Sequence, residues 1–154
     1  MPSDTVIQII ILAVLLMLSA FFSSAETALT TVNRIRIRSL ADDGNKKART
    51  VLSILESQEK MLSCILIGNN FVNISASSLA TTLAIRLSGS KAVGYTTGLL
   101  TLFILIFGEI TPKNAANVYS EKLSLRYATV IRILMTVMTP LIFLVNALAQ
   151  ISAE

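Results

Sequence analysis

Residues 61–85 read MLSCILIGNNFVNISASSLATTLAI, twenty-five positions without a single charge. A helix rising about 1.5 Å per residue crosses a hydrocarbon core of about 30 Å in roughly 20 residues, so this run is long enough to span a membrane. Its middle, Gly68-Asn69-Asn70-Phe71-Val72-Asn73-Ile74-Ser75-Ala76-Ser77-Ser78, is nevertheless too polar to face lipid. A membrane helix with amides and hydroxyls at its centre turns them toward neighbouring helices or a hydrated interior. The stretch therefore predicts a bundle of membrane helices around a polar interior.

Working outward, Thr5–Ala25 carries no charge, and neither does Ala92–Gly108. Of the 154 residues 53% are hydrophobic and 14% charged, against about 25% charged in soluble proteins, and the mean hydropathy is +0.71. The expected fold is an all-α integral membrane domain with three transmembrane helices, about 5–31, 60–86 and 92–111, the third breaking at Pro112. Leu87-Ser88-Gly89-Ser90 forms a tight turn between the second and third. Ile133–Ala153 is uncharged too, but Pro140 interrupts it, Arg126 and Arg132 precede it, and Asn146 and Gln150 add polarity. We read 114–151 as a kinked juxtamembrane belt in preference to a fourth span. Between the first two spans, a Gly44-Asn45 stop separates Asn33–Ala41 from Lys46–Ser57, whose Val51, Leu52, Ile54 and Leu55 make an apolar stripe. The pair reads as a helical hairpin lying near the lipid surface.

The formal net charge of +4 does not indicate nucleic acid, because of where the charges fall. Seven of the 13 Lys and Arg lie between Asn33 and Lys60 and four between Lys113 and Arg132. Only Arg86 and Lys91 fall between the second and third runs, and Asp4 stands before the first. By the positive-inside rule the N-terminus lies outside, the hairpin and everything after Pro112 in the cytoplasm. That describes a multi-pass plasma-membrane protein, with Arg34, Arg36 and Arg38 against anionic lipid headgroups. The first run lacks a basic region and a convincing cleavage site, so it is read as a span and not a signal peptide. A lone Cys64 and the absence of histidine exclude an intramolecular disulfide and imidazole metal sites. No nucleophile–base pair or phosphate-binding glycine loop is present, so an enzyme is not expected.

The candidate site centres on Phe107-Gly108-Glu109-Ile110-Thr111-Pro112-Lys113. An acid at membrane depth costs several kcal/mol unless it is paired, hydrated or neutralised, so Glu109 is a functional candidate by default. Pro112 has no N–H for the Gly108 carbonyl four residues back. At about 100° per residue, Ser19, Ser23 and Glu26 fall within about 60° of one another on the first span. Asn69, Asn73 and Ser77 repeat at i, i+4, i+8 on the second. Hydroxyl, amide oxygen, carboxylate and backbone carbonyl together suit a hard cation such as Mg²⁺, Ca²⁺ or Na⁺. Glu26, near the boundary, ranks below Glu109.

These stretches resemble the membrane domain of the CorC/CNNM family of magnesium transporters, also called the DUF21 domain. The resemblance rests on Ser19-Ala20-Phe21-Phe22-Ser23-Ser24-Ala25-Glu26-Thr27-Ala28, Gly68-Asn69-Asn70-Phe71-Val72-Asn73 and the Phe107–Lys113 stretch, and covers essentially the whole chain. It implies a homodimer with three spans per subunit that exports Mg²⁺ coupled to Na⁺ entry by alternating access. On that resemblance Ser19 and Ser23 supply hydroxyls, Asn69 or Asn73 an amide oxygen, Glu109 the carboxylate and Gly108 its carbonyl. Glu26, Asn70, Ser77, Thr111, Pro112 and Lys113 stand around them or form a Na⁺ site. The alternative is a Mg²⁺-responsive regulator or scaffold that binds the ion without moving it. Family members usually continue into nucleotide-binding CBS modules; these lie outside this sequence, which reads as the membrane domain of a longer protein, and ATP sensing is not assigned to it.

Overall fold

The computed structural model describes residues 2–151, and these are helical almost throughout. The elements are α1 (Pro2–Thr31), α2 (Arg34–Asp42), α3 (Lys46–Glu56), α4 (Gln58–Leu105), a π-helical turn (Ile106–Ile110), α5 (Thr111–Val118), α6 (Ser120–Val137) and α7 (Thr139–Ile151). They divide into two compact units. One takes α1 as far as Ser24 together with Gly68–Val118; the other takes Ala25–Ile67 and the chain from Tyr119 onward.

Helix α4, whose residues from Gly68 onward belong to the first unit, runs for 48 residues, about 70 Å if straight, more than twice a hydrocarbon core. It is not straight. Gly89 adopts φ 67°, ψ 179°, a conformation outside the helical region that only glycine enters without strain. Ser88 and Thr96 would stand about 12 Å apart along an unbroken helix, yet their hydroxyl oxygens are 2.8 Å apart. The chain folds back at Gly89, and α4 is two legs of a hairpin. The turn expected around Leu87–Ser90 is thus centred on a single glycine.

Ser3–Thr31 and Gln58–Val118 are long and apolar enough to cross a membrane. Only 11% and 6% of their most apolar windows is buried. Val6, Ile10, Met17, Leu99, Phe103 and similar side chains are exposed, as suits helices that lie against lipid.

The helix does not break at Pro112, where the sequence analysis expected the third run to break. The ladder widens over Ile106–Ile110, where the Thr111 N–H donates to the Ile106 carbonyl five residues back, and then resumes as α5. Pro112 occupies the second position of α5, an early position where a missing N–H disturbs least.

The second unit is built from short amphipathic helices. Asn33 caps α2, its side chain accepting from the N–H groups of Ile35 and Arg36 at 3.0 and 3.2 Å. The helix ends in a Schellman turn: Gly44, at φ 94°, donates to Ala41 O, and Asn45 donates to Leu40 O. Asn45 then caps α3, accepting from Lys47 and Ala48. One Gly-Asn pair thus stops one helix and starts the next, as the sequence suggested. Helix α2 packs on α3, and α3 on α6. The buried stripe on α3 is Ala48, Val51, Ile54 and Leu55; that on α6 is Ser124, Ala128, Ile131 and Met135. Full burial of each aliphatic chain contributes about 1.5–3 kcal/mol. Helices α6 and α7 meet at 64°, with Pro140 second in α7, where the sequence placed a kink.

Candidate cation site

The site lies in the first unit and begins with a glycine. A Cβ on Gly68 would lie 2.6 Å from the Phe22 ring, so only glycine lets α1 and the first leg of α4 approach this closely. Three residues before Phe22 is Ser19, and five after Gly68 is Asn73; the Ser19 hydroxyl reaches Asn73 Oδ1 at 2.7 Å. Moving forward on α1 matches moving backward on α4, so the two run antiparallel. Ser23 and Asn69, one turn away on each helix, therefore fall at the same level.

The π turn supplies the third wall. Gly108 is buried, and its carbonyl oxygen is 3.3 Å from Ser19 Oγ. A Cβ there would come within 3.1 Å of both Ser19 Oγ and Leu16 Cδ1. In an α-helix the donor to Gly108 O is residue 112; in a π-helix residue 112 is the donor to Phe107 O. Because residue 112 is proline, the position where the ladder returns from i+5 to i+4 has no hydrogen to give.

Proton counting shows what this leaves. Ser19 Oγ, Asn73 Oδ1 and Gly108 O converge, and the single Ser19 hydroxyl hydrogen serves one acceptor at a time. Ser19 is 1% exposed and Ser23 fully buried, while Asn73 is half-buried. Ser23 Oγ and Asn69 Oδ1 are also buried, without any hydrogen-bond partner. Buried polar atoms are normally satisfied, and each exception calls for an explanation. Among the described residues, two of the three such side-chain atoms belong to this cluster; the third, Gln8 Oε1, lies about 16 Å along α1.

Beside the cluster is a cavity of about 140 Å³ lined by Ser19, Asn73, Ser77, Thr101, Ile104, Leu105 and Glu109. It holds one acid. The Glu109 carboxylate has the Lys113 ammonium 3.5 Å away, one turn on. Hydroxyl, amide, carbonyl and one carboxylate form a set suited to a hard cation. No cluster of three His, Cys, Asp or Glu occurs among the described residues. A wider groove of about 390 Å³ in the second unit is lined by Glu56, Gln58, Glu59, Lys60 and Asn146, but its acids are exposed and none of its oxygens is buried without a partner.

Of the residues singled out in the sequence, Ser19, Asn73, Gly108 and Glu109 come together with Ser77, while Ser23 and Asn69 sit one turn away. Lys113 adjoins Glu109. Asn70 and Thr111 are exposed and outside the cavity lining, and Pro112 is half-buried. Glu26 is half-buried in the other unit. Thr101 went unnoticed. It stands eight residues before Glu109, about 80° round a regular α-helix, and the π turn that alters this offset has no periodic signature in the sequence.

The fold and the site together define a multi-pass helical membrane protein with an oxygen-lined cavity among its membrane-crossing helices. More narrowly, the family model described as Cyclin M transmembrane N-terminal domain (CNNM) matches residues 10–153, and the chain belongs to that family. It is 44% identical over 137 residues to a UPF0053 protein of Haemophilus influenzae, covering 89% of this chain and 33% of that one. It is 41% identical over 133 residues to the UPF0053 inner membrane protein YfjD of Escherichia coli, covering 86% and 31%. A third relative, 29% identical over 157 residues and covering 94% and 35%, is the polyamine export protein of Escherichia coli. The chain thus spans about a third of the length of these relatives.

Proposed function

We propose that this domain binds Mg²⁺ between its membrane helices and exports it by alternating access, in exchange for Na⁺. The observation that carries the reading is a convergence of oxygens: Ser19 Oγ lies against both Asn73 Oδ1 and Gly108 O, and the buried Ser23 Oγ and Asn69 Oδ1 have no partner. A cation satisfies such oxygens without any donor. Glu109 supplies charge, and with only one acid the divalent ion is incompletely neutralised, which favours release as well as entry. Irregular backbone at membrane depth is tolerated where it lines a cavity, as the π turn does. The reading includes three spans with the N-terminus outside, α6–α7 as a belt on the cytoplasmic leaflet, and a homodimer in the plasma membrane.

The test is Mg²⁺ flux in proteoliposomes carrying the full-length protein, with and without a Na⁺ gradient. Wild type moves Mg²⁺ and Glu109→Gln does not. Saturable binding with no flux in the wild type supports the regulator reading instead. A second cargo also has an observation behind it. The group beside Glu109 is a primary ammonium, the head group of a polyamine, and one relative is named for polyamine export. Polyamine flux that Mg²⁺ fails to inhibit would favour that cargo.

A further inference from the structure

Glu109 and Lys113 are related by i,i+4 with the acid first, the favourable order on a helix. Glu109 lies in the π turn and Lys113 in the first turn of α5, so the change of ladder runs between them. Their separation of 3.5 Å is beyond good hydrogen-bond range, and the side chains are 38% and 37% exposed. Such a pair is weak and readily exchanged. Lysine, a compact charge on a flexible four-carbon stem, can leave without moving the backbone.

We propose that Lys113 is an internal counter-ion: its ammonium neutralises Glu109 when the cavity holds no cargo and is displaced when a cation binds. The role rests on the cation-site reading above. The charge sum motivates it. Carboxylate, ammonium and a divalent ion together carry +2, whereas the same site with Lys113 swung away carries +1. Bound cation and the Glu109–Lys113 contact therefore oppose each other. Without cargo, the ammonium spares the membrane a bare carboxylate, which would hinder return of the empty domain. Lys113 thus weakens cargo binding and speeds the empty half of the cycle.

The test is calorimetric Mg²⁺ titration of the full-length protein in nanodiscs, comparing wild type with Lys113→Met, Lys113→Gln and Lys113→Arg. Both neutral variants bind Mg²⁺ about tenfold more tightly than wild type, and the arginine variant stays within about twofold of it. In proteoliposomes the neutral variants retain Mg²⁺–Mg²⁺ exchange while net export slows, a split that a merely structural lysine does not produce. Unchanged or weaker binding in both neutral variants overturns the role of Lys113 while leaving the site intact, as does an arginine variant that shifts as far as they do. Wild type that binds no Mg²⁺ overturns the cation site, and this role with it.

Discussion

Ser23 and Asn69 hold oxygens that are buried and unpaired, and this gives their removal an unusual signature. A buried polar atom without a partner destabilises its protein by about 1–3 kcal/mol. Ser23→Ala and Asn69→Leu should therefore unfold no more easily than wild type in Mg²⁺-free buffer, and up to about 1 kcal/mol less easily. Saturating ligand at a hundred times its dissociation constant adds about 2.7 kcal/mol to a protein that binds it, and the variants should lose most of that increment. Thermal unfolding with and without Mg²⁺ measures both terms. Variants that are less stable without Mg²⁺ yet keep the full increment would show that these residues are helix-packing hydrogen bonders. At this scale the sequence was informative, because serines and asparagines at i, i+4 spacing in a span mark a shared face. It did not show that Ser19 would meet Asn73 and that Ser23 and Asn69 would be left unpaired, since that depends on the Gly68–Phe22 approach.

Among the elements, the π turn separates what the sequence conveys from what it conceals. Pro112 announces a disturbed ladder, and a disturbed ladder was expected to be a broken span. The chain instead inserts one wide turn and continues to Val118. Nothing in hydrophobic periodicity distinguishes those outcomes, because both leave the Gly108 region short of a donor. Pro112→Ala restores an N–H at residue 112, which can close an i+4 bond to Gly108 O and draw the turn toward regular α-helix. Glu109 then rotates away from Thr101 and the cavity. The expected result is at least about tenfold weaker Mg²⁺ binding, or about 1.4 kcal/mol, with an unchanged far-ultraviolet circular dichroism spectrum. Wild-type affinity in this variant would mean that the π turn does not position the site. By contrast, the hairpin helices were readable almost to the residue, since Asn33, Gly44 and Asn45 act locally through caps and a Schellman turn.

At the level of the whole molecule, composition and the uncharged runs sufficed for a helical membrane protein, because lipid demands long apolar helices and little else. The last third was harder to read. An uncharged run with a proline at its centre suits a bent span or a surface belt, and α6 and α7 meet at 64°. The ion-pair lattice adds little to stability: Arg36 and Glu121 meet at 3.3 Å but are 63% and 44% exposed. What gives the first unit its character is the meeting of three helix segments at a cluster of oxygens, two of them buried without a partner. The most direct measurement is a high-resolution structure of the full-length protein with Mg²⁺ bound. The account predicts an ion among Ser19, Asn73, Gly108 and Glu109, with ligand oxygens at about 2.0–2.1 Å and the Lys113 ammonium withdrawn from Glu109. Density for the ion elsewhere, or a saturated sample whose cluster stays dry and whose Glu109–Lys113 pair stays closed, would contradict it.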